Sequence, residues 1–217
     1  MPSPTPPTDP DEQQPLTRGH KKRERTRRSL VDAALRLIAR KEVGEIALLE
    51  VAAEAEVSNG TIYNYFRTRD EVLEAVGITL ADEFSDAISA LSANVKSGAQ
   101  RLSIGVRLFI HRAAEDHQWA NALLRIIHFD QAIRSRLATH VLGDLRDGLR
   151  EGAFAFEDEG IAMDIVVSCT TGAMRSVVEG RALQGHDAQV AEMVLKALGA
   201  TPARARKIAS LPLPALA

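Results

Sequence analysis

Apolar residues return every three or four positions along most of the chain and strand-type alternation persists nowhere, which predicts helices throughout. Leu30, Val31, Ala34, Leu37 and Ile38 share one face of a first helix that begins near Lys21 to Arg25 and runs to about Ala39, with Gly44 as its stop. Leu48, Val51, Ala52 and Ala55 mark a short second helix, which breaks at Glu56. A third opens at Ser58 or Asn59, whose side-chain oxygens can accept from an otherwise unpaired N–H. From Asp70, the residues Val72, Leu73, Val76, Leu80 and Phe84 stripe a fourth helix that reaches Ala90 or Leu91. After Ser97-Gly98, three further spans are marked by Leu102, Val106, Phe109 and Ile110, by Trp119, Leu123, Ile126 and Ile127, and by Ile133, Leu137, Val141, Leu145 and Leu149. Gly152 closes the last of these.

The same periodicity continues to the C-terminus. Glu157-Asp158-Glu159 places acids at the positive end of a helix carrying Ile161, Ile165, Cys169 and Gly172 on one face. Val190, Val194, Ala197 and Leu198 stripe the next, and Thr201-Pro202 opens a short one to about Ala209. The predicted fold is all-α, an N-terminal three-helix head followed by a C-terminal bundle. Residues 1–17 hold six of the nine prolines and almost nothing apolar, so they are expected to be a disordered tail. The head spans 18–68, the helical body 69–209 and a second tail 210–217.

Charge sharpens this division. The chain of 217 residues carries a net charge of −2, yet Arg18 to Arg28 holds seven basic residues against one acid, a local excess of +6. Such an arm, with Arg23, Arg25 and Arg27 within it, suits phosphates and predicts salt-sensitive affinity for nucleic acid. Both tyrosines of the protein, Tyr63 and Tyr65, fall in the segment Val57 to Arg69, and at two residues apart on a helix they cannot share one face. At least one faces outward. Around them, Ser58, Asn59, Gly60 and Thr61 offer a cap, exposed N–H groups and a hydroxyl, while Asn64, Arg67 and Arg69 add donors and charge.

Two short helices joined by a tight turn, the second capped and rich in donors and aromatics, form the helix-turn-helix pattern. The thirteen residues from Val57 to Arg69 resemble the second half of that motif in the TetR family of bacterial transcriptional repressors, which reads V-S-x-G-T-x-Y-x-Y-F-x-x-K/R. The resemblance implies a homodimeric repressor that binds a palindromic operator in double-stranded DNA and releases it on binding a small hydrophobic effector. It implies that Thr61, Tyr65 and Arg69 contact phosphate, that Tyr63 reaches the backbone or a thymine methyl, that Asn64 touches a base edge and that Ser58 caps the recognition helix. It also implies that the fourth helix links head to body. The last two long helices would form the dimer interface, through Ile165, Cys169, Gly172, Ser176, Val190 and Val194. Two departures stand out. Ala47 and Leu49 replace residues able to donate, and Glu56 occupies the family's turn glycine, which costs freedom if that position needs a positive φ.

Other chemistry is sparse. No segment is expected to be long and apolar enough to cross a membrane. The lone Cys169 rules out an intrachain disulfide, fits a reducing cytoplasm and is expected to be buried among Val166, Val167 and Thr170. His111, His117, His128 and His140 lack metal-ligand spacing, and neither a phosphate loop nor a nucleophile elbow is present. An enzyme, a metal site and a cofactor are therefore not expected. For an effector pocket the candidate walls are Phe109, Trp119, Leu123, Ile127, Phe129, Met163 and Met174, with His111 and His128 as polar anchors. The alternative is an architectural or assembly protein that keeps the head but answers to a protein partner.

Overall fold

The computed structural model describes residues 18–38, 40–41, 45–126 and 136–214. Among these there are ten helices and no strand. The chain divides into two compact units between Arg67 and Thr68. The Pro-rich segment, Gly44, Ile127, His128, Phe129 and Ile133 lie outside the described residues.

The first unit contains α1 (Arg18–Ile38), α2 (Leu48–Glu54) and α3 (Asn59–Tyr63). Its core is the apolar face of α1, Leu30, Val31, Ala34, Leu37 and Ile38, closed by Ile46, Val51, Ala52, Ile62 and Phe66. Helix α1 starts at Arg18, several residues before the apolar stripe predicted it, because a polar extension of a helix has no periodicity to reveal it. Glu54 at the end of α2 accepts from Arg36 Nε at 2.9 Å and pairs with Arg40 at 2.6 Å, tying α2 to α1. These bonds to Arg36 and Arg40 hold the half-buried Glu54 carboxyl below its usual range.

The turn between α2 and α3 is a Schellman motif: Glu56 N–H donates to Ala53 O at 3.1 Å and Val57 N–H to Ala52 O at 3.0 Å. Glu56 sits at its left-handed position with φ of +56°, the only non-glycine with positive φ among the described residues. The strain expected at the substituted turn glycine is thus present.

The second unit contains α4 (Arg69–Leu91), α5 (Gly98–Glu115), α6 (His117–Ile126), α7 (Arg136–Arg150), α8 (Glu159–Val178), α9 (His186–Ala197) and α10 (Pro202–Ala209). Helix α5 lies at its centre, packing against α4, α6, α7, α8, α9 and α10. Its N-terminus comes so close to α7 that a Cβ on Gly98 would stand 2.4 Å from Asp144 O and 2.8 Å from Gly148 N. Leu123, Leu145, Met174, Leu195 and Leu198 are fully buried around it. Side chains start four of these helices: Thr201 caps α10 as the sequence predicts, and Thr68 caps α4, Ser97 α5 and Asp158 α8.

Two expectations for the body need correction. Residues 211–214 are not a free tail, because Leu213 packs against Ile88, Ile104 and Leu108, and Arg107 Nη1 donates to Leu211 O at 2.6 Å. Helix α8 has a mean hydropathy of 1.4 over an 18-residue window, so by length and composition it could cross a membrane. In the fold it is a bundle helix packed on α5, α6, α7 and α9.

Candidate nucleic-acid interface and effector cavity

The head displays the predicted polar segment on α3. Ser58 is the N-cap, its Oγ accepting from Thr61 N–H at 3.2 Å and lying 2.8 Å from Thr61 Oγ1. Asn59, Gly60, Tyr63 and Asn64 are exposed, Tyr63 by 51%, while Ile62 between them is buried against the head core. Tyr65 is half-buried, and the Arg23 guanidinium stands 5.9 Å from its ring centroid. Arg27 likewise covers Phe66 at 5.4 Å, so it packs as well as carrying charge. Arg25 is exposed, and Arg69 opens α4 in the second unit.

The basic arm is the first turns of α1. No acid occupies its first turn, so cations crowd the positive end of the helix dipole, an arrangement that costs about 0.3–1 kcal/mol per charge at low salt. An anion placed alongside relieves that repulsion. On α2, Ala47 has no side chain to cap with, and only the reciprocal half of the cap forms, Ala47 N–H to Glu50 Oε2 at 3.2 Å. The hydrogen bond from Lys41 holds the Glu50 carboxyl below its usual range. Leu49 points to solvent.

The body contains a cavity of about 110 Å³ between α4, α5, α6, α7 and α8. Of the predicted wall residues, Phe109, Leu123 and Met174 line it. Trp119 does not: it is buried in an aromatic cluster, 5.3 Å from Phe84 and 5.9 Å from Phe109. Met163 is buried away from the cavity. His111 is an exposed residue whose Nε2 lies 3.1 Å from Asp187 Oδ2, so it anchors α5 to α9. Burial acts to raise the Asp187 carboxyl, but Arg107 at 2.8 Å, the Ala188 N–H and His111 together hold it below the usual range.

The polar lining, Ser85, Ser89, Ser92, Arg101, His140, Asp144, Thr170 and Thr171, escaped the sequence reading. A signal did exist. Asp144 falls between Val141 and Leu145 on the apolar stripe of α7, where a charge is out of place. Arg101 Nε donates to Asp144 Oδ1 at 2.6 Å, its Nη1 donates to Val95 O and Lys96 O, and its Nη2 pairs with Asp147. Burial nonetheless pushes the Asp144 carboxyl up to about 6, against the pull of Arg101. Burial also works against the Arg101 charge, but Asp144 and Asp147 outweigh it and hold the guanidinium above its ordinary value.

A third feature is the outer face of α8. Ile161, Cys169 and Gly172 are exposed and Ile165 and Ser176 half-exposed, beside half-exposed Val190 and exposed Met193 on α9. Cys169 is therefore not buried as expected, since Val166, Thr170 and Ala173 take the inward positions of the turn. Val194 is buried within the chain, so it cannot meet a partner.

Residues 98–211, more than half of the chain, match the model of the tetracyclin repressor-like C-terminal domain, and residues 30–76 match that of bacterial regulatory proteins of the tetR family. The chain belongs to the TetR family. This TetR-family protein carries both the family's N-terminal regulatory-protein domain and a repressor-like C-terminal domain. It is 34% identical over 91 residues to the HTH-type transcriptional regulator AlkX of Mycobacterium tuberculosis, a match covering 42% of this chain and 43% of that one. The chain thus spans less than half the length of that curated relative, and 24% of a Haemophilus influenzae regulator to which it is 44% identical over 45 residues. The solved structure of RolR in complex with resorcinol is similar over 91% of this chain and 99% of that one, with a TM-score of 0.76 at 26% identity. FadR of Bacillus subtilis in complex with stearoyl-CoA shares the fold at 18% identity and a TM-score of 0.55, over 79% of this chain and 96% of that one.

Proposed function

We propose that the protein is a homodimeric repressor that binds a palindromic operator through α3 and the basic start of α1, and that a small molecule in the α4–α8 cavity releases it. The observation that carries this reading is the uncovered apolar face of α8. Only a third of its most apolar window is buried within the chain, and Ile161 and Met193 stand 63% and 65% exposed. An uncovered face of small and apolar residues, with Asp164, Ser168 and Arg175 among them, is suited to burial against a second copy. A two-fold dimer then presents two recognition helices, which reads a palindrome with half-sites one or more helical turns apart.

The cavity supports the effector half of the proposal. Its volume of about 110 Å³ is of the order of the ~150 Å³ cavity that admits one benzene ring. RolR, solved with resorcinol, is of similar fold over nearly its whole length. Helix α4 contributes Ser85, Ile88 and Ser89 to the lining and its C-cap Ser92 joins them, so a ligand that moves α4 acts on the element that directly follows the head in the chain.

Selection of bound sequences from random duplex DNA by the purified protein, repeated at two salt concentrations, tests the reading. A palindrome with two half-sites is expected, bound more weakly at the higher salt. A single half-site bound by a monomer in sedimentation would refute it.

A further inference from the structure

The inward stripe of α1 does not stop at Leu30 and Val31. Arg27 and Arg23 precede Val31 by one and two helical turns, at i−4 and i−8, so they continue its face toward the start of the helix. Two consecutive rings meet them there. The Arg27 guanidinium lies over Phe66, its Cζ 5.4 Å from the ring centroid, and that of Arg23 lies over Tyr65 at 5.9 Å. The last turn of α3 sets these rings, for the N–H groups of Tyr65 and Phe66 both donate to Ile62 O at 2.9 Å, and Ile62 and Phe66 are buried. A guanidinium stacked on a ring spends its face and keeps its N–H groups, which lie along its edges, for an anion. Among the described residues neither guanidinium donates a hydrogen bond or pairs with an acid, and the Tyr65 hydroxyl makes no bond either. Arg23 is exposed, so its N–H fork is open from outside, whereas Arg27 is half-buried.

We propose that Arg23, held flat on Tyr65, is a pre-set phosphate clamp of the DNA-binding head, and that Tyr65 is the positioning residue that orders it through its ring and not through its hydroxyl. This rests on the DNA-binding reading above and adds which residue of the arm makes an ordered phosphate contact and what orders it. An arginine free on a solvated helix gives up its rotamers when a phosphate fixes it, while a stacked one has given up most of them beforehand. The affinity gained in this way is roughly 2- to 10-fold for one side chain. The exposed Lys21, Lys22, Arg25 and Arg28 have no ring beneath them among the described residues and supply unordered charge.

Fluorescence anisotropy of the full-length protein with the duplex that the wild type binds most tightly, at several salt concentrations, tests this in a double-mutant cycle. Tyr65→Phe keeps the ring and drops the hydroxyl, and is expected to bind within about 2-fold of wild type. Tyr65→Leu is expected to weaken binding by roughly 2- to 10-fold. Arg23→Gln should cost at least as much and lower the slope of log affinity against log salt by about 0.9, the share of one phosphate. With Gln at position 23, Tyr65→Leu should add no further loss, because the two residues act as one unit. A ring that only packed would not show this coupling, since a loosened head weakens binding whichever residue stands at 23. Tyr65→Phe falling as far as Tyr65→Leu would make the hydroxyl the phosphate group and overturn the inference, as would additive losses in the double variant; both would leave the DNA-binding reading intact. The Tyr65→Phe and Arg23→Gln results decide the matter even if Tyr65→Leu is unstable. Failure of the wild type to bind any duplex would remove the DNA-binding reading and this inference together.

Discussion

Replacing Glu56 with glycine is expected to stabilise the head and tighten DNA binding. Glu56 holds the left-handed position of the turn between α2 and α3 at φ +56°, where a residue with a Cβ pays about 1–2 kcal/mol. Glycine relieves that strain but loses about 0.5–1 kcal/mol through the greater freedom of its unfolded chain. The net gain is about 0.5–1 kcal/mol. Among the described residues no side-chain hydrogen bond or ion pair is lost, for the exposed Glu56 carboxylate makes none there. For a unit of this size that gain raises Tm by roughly 2–8 °C. Removing a negative charge from each head should also tighten operator binding by roughly two- to five-fold at low salt, an effect that fades as salt screens it.

Glu56→Ala separates the two contributions, since it discards the charge yet keeps the Cβ and the strain. Thermal melting should show Glu56→Gly above wild type and Glu56→Ala close to it, while gel-shift titrations should show both binding DNA more tightly. Equal stabilisation by alanine and glycine, or a destabilised glycine variant, would refute the strain argument.

Tyr63→Ala is expected to weaken operator binding by roughly 10-fold or more with the melting curve unchanged, because the ring stands free on α3; unchanged affinity by gel shift would show that α3 is not the reading element. Gly98→Ala should cost about 1–3 kcal/mol in chemical denaturation, because the new methyl meets backbone of α7 that cannot swing aside; a cost near zero would mean the two helices are not so close. The pH dependence of stability should reveal Asp144. Its carboxyl, pushed from an ordinary 3.8 to about 6, keeps its proton in the folded protein after the unfolded chain has lost it. Its contribution is full below about pH 4 and is lost as pH rises through 6, so relative to Asp144→Asn the wild type should lose up to about 3 kcal/mol over that range. Parallel pH profiles for the two proteins would contradict the burial of that carboxyl.

The elements of this protein were legible in its sequence because the information is local. The stripe from Leu30 to Ile38, the caps at Ser58 and Thr201 and the polar run from Ser58 to Asn64 each depend on residues within a turn or two of one another, so spacing alone gives the helices and their starts. The strained turn was legible too, since the family pattern places a glycine where Glu56 stands. What the sequence could not decide is which apolar residues face a cavity and which fill a core. Trp119, Phe109 and Leu123 look alike in composition and periodicity. Only the convergence of five helices makes Trp119 part of an aromatic cluster and leaves Phe109 and Leu123 on an open wall. The same holds for the polar lining and for α8. The pairing of Arg101 with Asp144 joins residues 43 positions apart, and the inward or outward sense of Val194 and Cys169 depends on which neighbouring helices occupy each side. Local chemistry determines where helices begin and what they carry, whereas long-range packing alone determines which of those groups are left facing space.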